Sequence, residues 1–272
     1  MKTSSDSQHR VITLTTDFGT RDYFVGAMKG VIHSIAPGTH VVDISHEISP
    51  QNIAHGAFTI RQILAYYPKG SIHVVVVDPG VGTERPIVAG RYEGRYVVAP
   101  DNGLFSLLHH DLHVEALHYV EDRRFFLPDM SSTFHGRDIM APVAAHLANG
   151  VAIKELGRRV DRLEILPLSW RASRVGDSLQ GRGLMSDHFG NIITSICQEQ
   201  FVGLGVASSW EVVVNGTVLG GIRRTFADLG ESELGAVWGS AGYLELVCNC
   251  SSAEALLGDP NSVEVILRPT DG

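Results

Sequence analysis

The sequence predicts two domains of different class. The first is an α/β domain over residues 11–168, with a mostly parallel sheet flanked by helices; the second is a smaller all-β domain of barrel or sandwich type over residues 169–272. Three observations predict this. Residues 74–77 are four consecutive valines, a continuous apolar run that reads as a strand buried on both faces, as in a parallel sheet. Strand and helix patterns alternate on either side of that run. After Pro167 the segments become short, alternating and glycine-punctuated, with no long helix among them. Residues 1–10, MKTSSDSQHR, are polar and are expected to form a disordered tail.

Residues 11–16, VITLTT, make a β-branched strand that ends on Asp17, with Gly19 just beyond. Asp22 is the expected N-cap of a helix over residues 23–35. Its apolar positions Phe24, Val25, Met28, Val31, Ile32 and Ile35 keep helical spacing, and Pro37-Gly38 closes it. Asp17 and Asp22 flank this turn and can face one pocket above the sheet edge. Residues 41–44 form the second strand, with His46 and Glu47 at its end. Residues 53–67 form a second helix, stopped by Pro68 and Gly70, and residues 72–77 form the third strand. Strand–helix passes of this kind with right-handed crossovers imply a mostly parallel sheet.

The third strand stops at Asp78, and Pro79-Gly80 turns the chain away. In open α/β sheets, ligands bind beyond the carboxyl ends of the strands. A buried strand rarely ends on an ionised aspartate unless something pairs with it. Arg85 lies seven positions on and reaches that carboxylate if the loop folds back. The plainer alternative is an Asp-Pro-Gly turn and nothing more. Residues 86–90 and 96–99 read as a hairpin across Glu93-Gly94, and PDNG at 100–103 reads as a turn. A short helix over 104–109 and a strand over 114–119 follow. The polar loop SSTFHGRD, 131–138, leads into an alanine-rich helix over 139–148. His135 therefore sits ahead of a helix N-terminus, where orphan N–H groups favour negative charge. A lone histidine there is also a common cap or surface residue.

The boundary between the domains falls near residues 166–174. Short strands are expected at 180–186, 191–196, 211–214, 236–238, 243–247 and 263–267. Between the first two, SDHFGN at 186–191 packs an acid, an aromatic ring and an amide into six residues. Taken alone it reads as an Asp/Gly/Asn turn.

Composition excludes several classes. A chain of 272 residues, 44% apolar, is long enough to bury a large core. A formal net charge of −8 without a basic patch argues against nucleic acid as a partner. Cys197, Cys248 and Cys250 make no disulfide framework and no zinc motif, so reduced thiols in a cytoplasmic protein are expected. The polar start has no signal-peptide stretch, and no run approaches the roughly 20 apolar residues of a membrane span. A small molecule is the expected partner, with neither nucleic acid nor membrane.

Five stretches together carry a resemblance. TTDFGTRD (15–22), VVVVDPGVGTER (74–85), PDNGLF (100–105), STFHGRD (132–138) and SDHFGN (186–191) occur in this order and at this spacing in the S-adenosylmethionine hydroxide adenosyltransferases. These are relatives of enzymes that fluorinate or chlorinate the same substrate. The resemblance runs from about Val11 to Leu267. It implies displacement at the ribose C5′ of S-adenosylmethionine, giving adenosine and L-methionine when the nucleophile is water. It also implies a homotrimer, with each site between the first domain of one subunit and the second domain of its neighbour. No cofactor and no metal are implied, since S-adenosylmethionine is itself the substrate. By the same resemblance, Asp78, Arg85 and His135 form the triad for water, and Asp17 holds the two ribose hydroxyls. Asp22 and Asp187 are similar to the acids near the methionine ammonium. Phe189, Asn191 and Phe226 fall where the family binds adenine, and Ser240 where it holds the methionine carboxylate. In the halogenating branch Asp78 and His135 are both replaced by Tyr, Gly136 by Ser and Ala241 by Arg. A carboxylate beside the nucleophile repels halide and attracts a water proton, so the aspartate at position 78 favours water.

The chemistry suits such a site. The sulfonium leaves as a neutral thioether, so no acid and no metal is required at the leaving group. Water is a poor nucleophile, and a positioned base supplies about 10²–10⁴-fold. Asp78, oriented by Arg85, is the expected proton acceptor, with His135 as a second partner of the same water. Two other readings stay open on the sequence. A metal-dependent phosphoesterase would use the strand-end aspartate and some of the 13 histidines, although no H-x-H or paired-Asp spacing is present. A non-catalytic adenosyl-ligand sensor would bind tightly and release no product.

Overall fold

In a computed structural model, residues 11–167, 169–205 and 209–270 are described. The tail expected over residues 1–10 lies outside them. The chain divides into two compact units, Met1–Pro167 and Leu168–Gly272.

The first unit is the α/β layer. Its strands are β1 (Val11–Thr16), β2 (His40–Ser45), β3 (Ile72–Val76), β4 (Ile87–Tyr92), β5 (Arg95–Pro100) and β6 (Val114–Tyr119). They form one sheet in the order β2-β1-β3-β5-β4-β6. Pairing is parallel from β2 through β1 and β3 to β5, and β4 alone runs against its neighbours. The cause is the β4–β5 hairpin. Glu93 and Gly94 both take positive φ, 47° and 81°, as a two-residue type I′ turn requires.

The helices are α1 (Phe24–Ile35), α2 (Ile53–Ile63), α3 (Ser106–Asp111) and α4 (Ala141–Ala148). The valine run behaves as a strand buried on both faces. Val74 and Val76 join one core with Met28 and Ile32 of α1 and Val143 and Leu147 of α4. Val75 and Val77 join the other with Ile60 of α2 and Leu108 of α3. Alternate side chains of one strand thus serve two layers, because side chains along a strand point to opposite faces.

Three local expectations need correction. Asp22 does not cap α1: the cap position is Tyr23, and no side chain bonds the free N–H groups there. The second helix stops at Ile63 and continues only as a 3₁₀ turn, Leu64–Tyr66. The alanine-rich helix begins earlier, as a π turn over Gly136–Met140 with His135 at its cap position. Such π turns are uncommon and gather at functional sites.

The valine run also masks a buried histidine. His73 in β3 is fully buried, with Nδ1 2.8 Å from Thr13 Oγ1 and Nε2 3.0 Å from Ser71 Oγ. Burial, helped by the charge of Arg95, holds its pKa down at about 3. The folded chain therefore refuses a proton that the unfolded chain accepts below the ordinary histidine value. Stability is complete above pH 6.5 and is lost as pH falls towards 3, by up to about 1.4 kcal/mol per pH unit. Urea titrations of wild type and His73→Gln between pH 7 and 4 check this. The variant is expected to lose that part of the slope, and an unchanged slope rejects the account.

In the second unit every pair of named strands is antiparallel. It contains β7 (Ser173–Val175), β8 (Ser178–Ser186), β9 (Ile192–Cys197), β10 (Trp210–Val214), β11 (Thr217–Gly220), β12 (Leu234–Trp238), β13 (Tyr243–Cys248) and β14 (Glu264–Pro269), with short helices α5 (Gln198–Val202) and α6 (Ala253–Leu257). The order is β11-β10-β14-β8-β9-β13-β12, with β7 on β8. The long strand β8 bends this sheet towards a barrel. Its first half pairs with β14, its second half with β9, and the register slips between Gly183 and Met185. A Cβ at Gly183 would lie 2.3 Å from the Pro260 carbonyl oxygen, so only glycine fits this corner. No helix among the described residues is long and apolar enough to cross a membrane.

Candidate active site

The β3–β4 loop folds back on itself. Arg85 Nε donates to Asp78 Oδ1 at 2.7 Å, and Nη2 donates to Asp78 Oδ2. Both side chains are nearly buried, at 10% exposure for Arg85 and 5% for Asp78. A two-point guanidinium–carboxylate pair is the strongest way to hold an aspartate in one orientation. The same Arg85 Nη2 lies 3.0 Å from His135 Nδ1. Arginine can only donate, so His135 Nδ1 accepts and the ring proton sits on Nε2. Burial, and next the charge of Arg85, push the His135 pKa below its ordinary value. The imidazole is therefore neutral, with an N–H donor at its far edge that has no partner among the described residues.

Three loops meet here, and close packing fixes them. Gly82 takes φ +81°, and a Cβ on it would lie 2.6 Å from the Ser132 carbonyl oxygen. The Asp78–Arg85 loop thus rests directly on the backbone of the loop carrying His135. That second loop is closed by Asp138, which is fully buried and accepts from Ser131 N at 2.8 Å and from Arg137 Nε at 2.6 Å. Phe18, Phe24 and Phe134 pack edge to face at 5.3–5.8 Å between ring centres, which joins the β1–α1 loop to the same group.

A cavity of about 260 Å³ opens between these loops. Asp17, Asp78 and His135 line it, with Phe18, Val76 and Gly136 as apolar wall. Asp22 does not line it and is exposed on the β1–α1 loop. Asp17 is held from the next loop: the backbone N–H of Gln51 donates to its Oδ2 at 2.8 Å. Gln51 itself takes φ +63°, rare for a side chain of this kind, and lines the cavity. No sequence signal marked Gln51, because its role comes from a backbone angle. His46 braces the same corner, with Nδ1 2.9 Å from Thr16 Oγ1 and Nε2 3.0 Å from Asp43 Oδ1.

The second unit holds the other candidates. The SDHFGN loop is a turn organised by Asp187, whose Oδ1 accepts from Phe189 N at 2.8 Å and Asn191 N at 2.9 Å. Its Oδ2 accepts from Asn191 Nδ2, also at 2.8 Å. The turn thrusts Phe189 outward, at 75% exposure. A cavity of about 660 Å³ is lined by Phe189, Asn191 and Phe226 together with residues 248–252. Ser240 is exposed at the β12–β13 turn and does not line it. Among the described residues, no group of three or more His, Cys, Asp or Glu side chains could hold a metal ion.

The chain is similar to known proteins over most of its length. Residues 12–157 match the model of the SAM hydroxide adenosyltransferase N-terminal domain, and residues 182–262 match that of the C-terminal domain. A relative from Thermus thermophilus, named (R)-S-adenosyl-L-methionine hydrolase, is 38% identical over 92% of this chain and 96% of its own length. A fluorinase from Actinopolyspora mzabensis is 30% identical over 91% of this chain and 94% of its own. The crystal structure of an uncharacterized conserved protein from Thermotoga maritima superposes with a TM-score of 0.87 at 32% identity, covering 94% of this chain and 99% of that one. With both domain models matched in order over most of its length, the chain belongs to the SAM hydroxide adenosyltransferase family.

Proposed function

We propose that the protein is an enzyme that hydrolyses S-adenosyl-L-methionine to adenosine and L-methionine, by attack of water at the ribose C5′. The observation that carries this reading is the double grip of Arg85 on Asp78 and His135, beside the cavity that Asp17 lines. Relatives of hydrolase name at 33–41% identity support it.

The water sits between Asp78 and His135. His135 donates from Nε2 to the water oxygen and orients it, while Asp78 accepts a water proton. An O–C5′ bond forms as the C5′–S bond breaks, and the electron pair returns to sulfur, which leaves as a neutral thioether. Asp17 receives the two ribose hydroxyls and aligns C5′ with the water, which is where most of the acceleration arises. Phe189 and Phe226 cover the adenine, and Asn191 reads its edge. Asp22, on the β1–α1 loop outside the single-chain cavity, and Asp187 and Ser240 from a neighbouring subunit's second unit take the methionine end, the two acids for its ammonium and Ser240 for its carboxylate. The reaction needs no cofactor and no metal.

The cavity of about 260 Å³ is smaller than the roughly 300–1,000 Å³ of a typical ligand pocket. This supports a homotrimer in which the second unit of a neighbouring subunit completes each site. The free thiols of Cys197, Cys248 and Cys250 suit a cytoplasmic protein. Mass measurement in solution checks the trimer, and a monomer with full activity refutes it.

Incubation with S-adenosylmethionine in ¹⁸O-water tests the function. Labelled adenosine, no halogenated product in chloride or fluoride, and no effect of EDTA are expected. Binding without adenosine release would make the protein a sensor, and loss of activity in EDTA would favour a metalloenzyme.

The pH profile tests the state of His135. Because its pKa lies below the usual 6.5, turnover is expected to hold through neutrality and to fall only on the acid side of that value. Protonation there places a second cation against Arg85 and breaks their hydrogen bond. A rate that instead rises as His135 gains its proton contradicts the neutral donor.

A further inference from the structure

We propose that Asn102 is a positioning residue for the loop that carries Asp78 and Arg85. This rests on the reading of that loop as the element that activates water. The loop hangs between two feet, Val77 at the end of the β3 run and Pro86 before β4. Asn102 Nδ2 donates to the Val77 carbonyl at 2.9 Å, and the backbone N–H of Asp101 donates to the Pro86 carbonyl at 2.9 Å. Two consecutive residues of the PDNG turn therefore clamp the residue before Asp78 and the residue after Arg85.

The clamp is itself anchored. The Asp101 carboxylate accepts from Glu164 N at 2.9 Å, and Leu166 packs so closely on Gly103 that a Cβ there would lie 2.5 Å from it. Gly103 takes φ +110°, which no other residue tolerates well. The remaining half of the Asn102 amide argues for a purpose. Its Oδ1 is buried with no hydrogen-bond partner among the described residues, an uncompensated loss of hydration that an apolar side chain of equal size would avoid. What the amide provides in return is the Nδ2–H on Val77. That bond fixes the carbonyl next to Asp78, and with it the direction in which the carboxylate leaves the strand. Asn102 touches neither cavity and acts only through the loop.

Asn102→Asp keeps the shape and removes the donor; Asn102→Ala removes the whole amide. Both are expected to lower kcat by about 10–100-fold with KM within threefold of wild type, because a displacement near 1 Å at a reacting group costs on that order. A loosened loop also weakens the contact of Arg85 with His135. The His135 imidazole, followed by NMR, should then titrate closer to 6.5 than in wild type. Wild-type kcat in a folded variant, or lost kcat with the His135 titration unmoved, overturns the proposal. If Asn102→Ala does not fold, the isosteric Asn102→Asp decides by the same two measurements. A wild-type protein that releases no adenosine would refute the functional reading alone, and the His135 titration would still judge the clamp.

Discussion

Asp78→Asn is expected to cut turnover of S-adenosylmethionine by about 10²–10⁴-fold while leaving KM nearly unchanged. The amide occupies the same volume and takes no proton, so the water loses its base while the substrate keeps its contacts. The variant also leaves Arg85 buried with no full counter-charge. Breaking such a pair by removing one partner costs about 3–5 kcal/mol. Rate and stability must therefore be separated. In Asp78→Asn/Arg85→Met, the unpaired charge is gone. That double variant should recover most of the lost stability in urea and none of the lost turnover. If it regains activity together with stability, Asp78 is structural and the proton goes elsewhere. In the single variant Asp78→Asn, His135 gives no substitute base, since Arg85 still occupies its one acceptor nitrogen.

Asp17→Ala should damage binding and rate together. A carboxylate that receives two hydroxyls makes two charge-assisted hydrogen bonds, each worth about 1.5–3 kcal/mol. Their loss predicts a fall in kcat/KM of roughly 10²–10⁴-fold, shared between a higher KM and a lower kcat, because ribose alignment is lost along with affinity. A second effect arises from the structure: Gln51 N–H loses its acceptor, and the strained turn around it loosens. Asp17→Asn keeps one acceptor oxygen and should fall between wild type and Asp17→Ala. Steady-state kinetics decide the point, and an unchanged KM in Asp17→Ala would remove ribose binding from its role.

Much of this was legible in one dimension. Four valines in a row have no polar face, so they must sit inside a sheet covered on both sides, and the two cores divide them alternately. Pro79-Gly80 must leave the strand, and a nearly buried carboxylate before it must find a cation; Arg85 is that cation. Chain chemistry also limited the second unit to short strands, because it offers no long helical period. Other features were beyond that reach. Asp22 has the chemistry of a helix cap, yet Tyr23 holds that position. His73 lay hidden in an apolar run, and Gln51 carried no motif at all.

What the sequence by itself determined was the strand–helix order of the first unit, six of the eight described strands of the second, and the chemical character of the strand ends, because periodicity and charge burial act over a few residues. Only the tertiary structure decided which strand ends share a cavity, which tautomer His135 takes, and that Asp17 enters the cavity while Asp22 stays outside. Those outcomes depend on loops 30 to 60 positions apart pressing on one another, as Gly82 presses on Ser132 and Gln51 on Asp17. Contacts of that range are set by packing, and local composition carries no record of them.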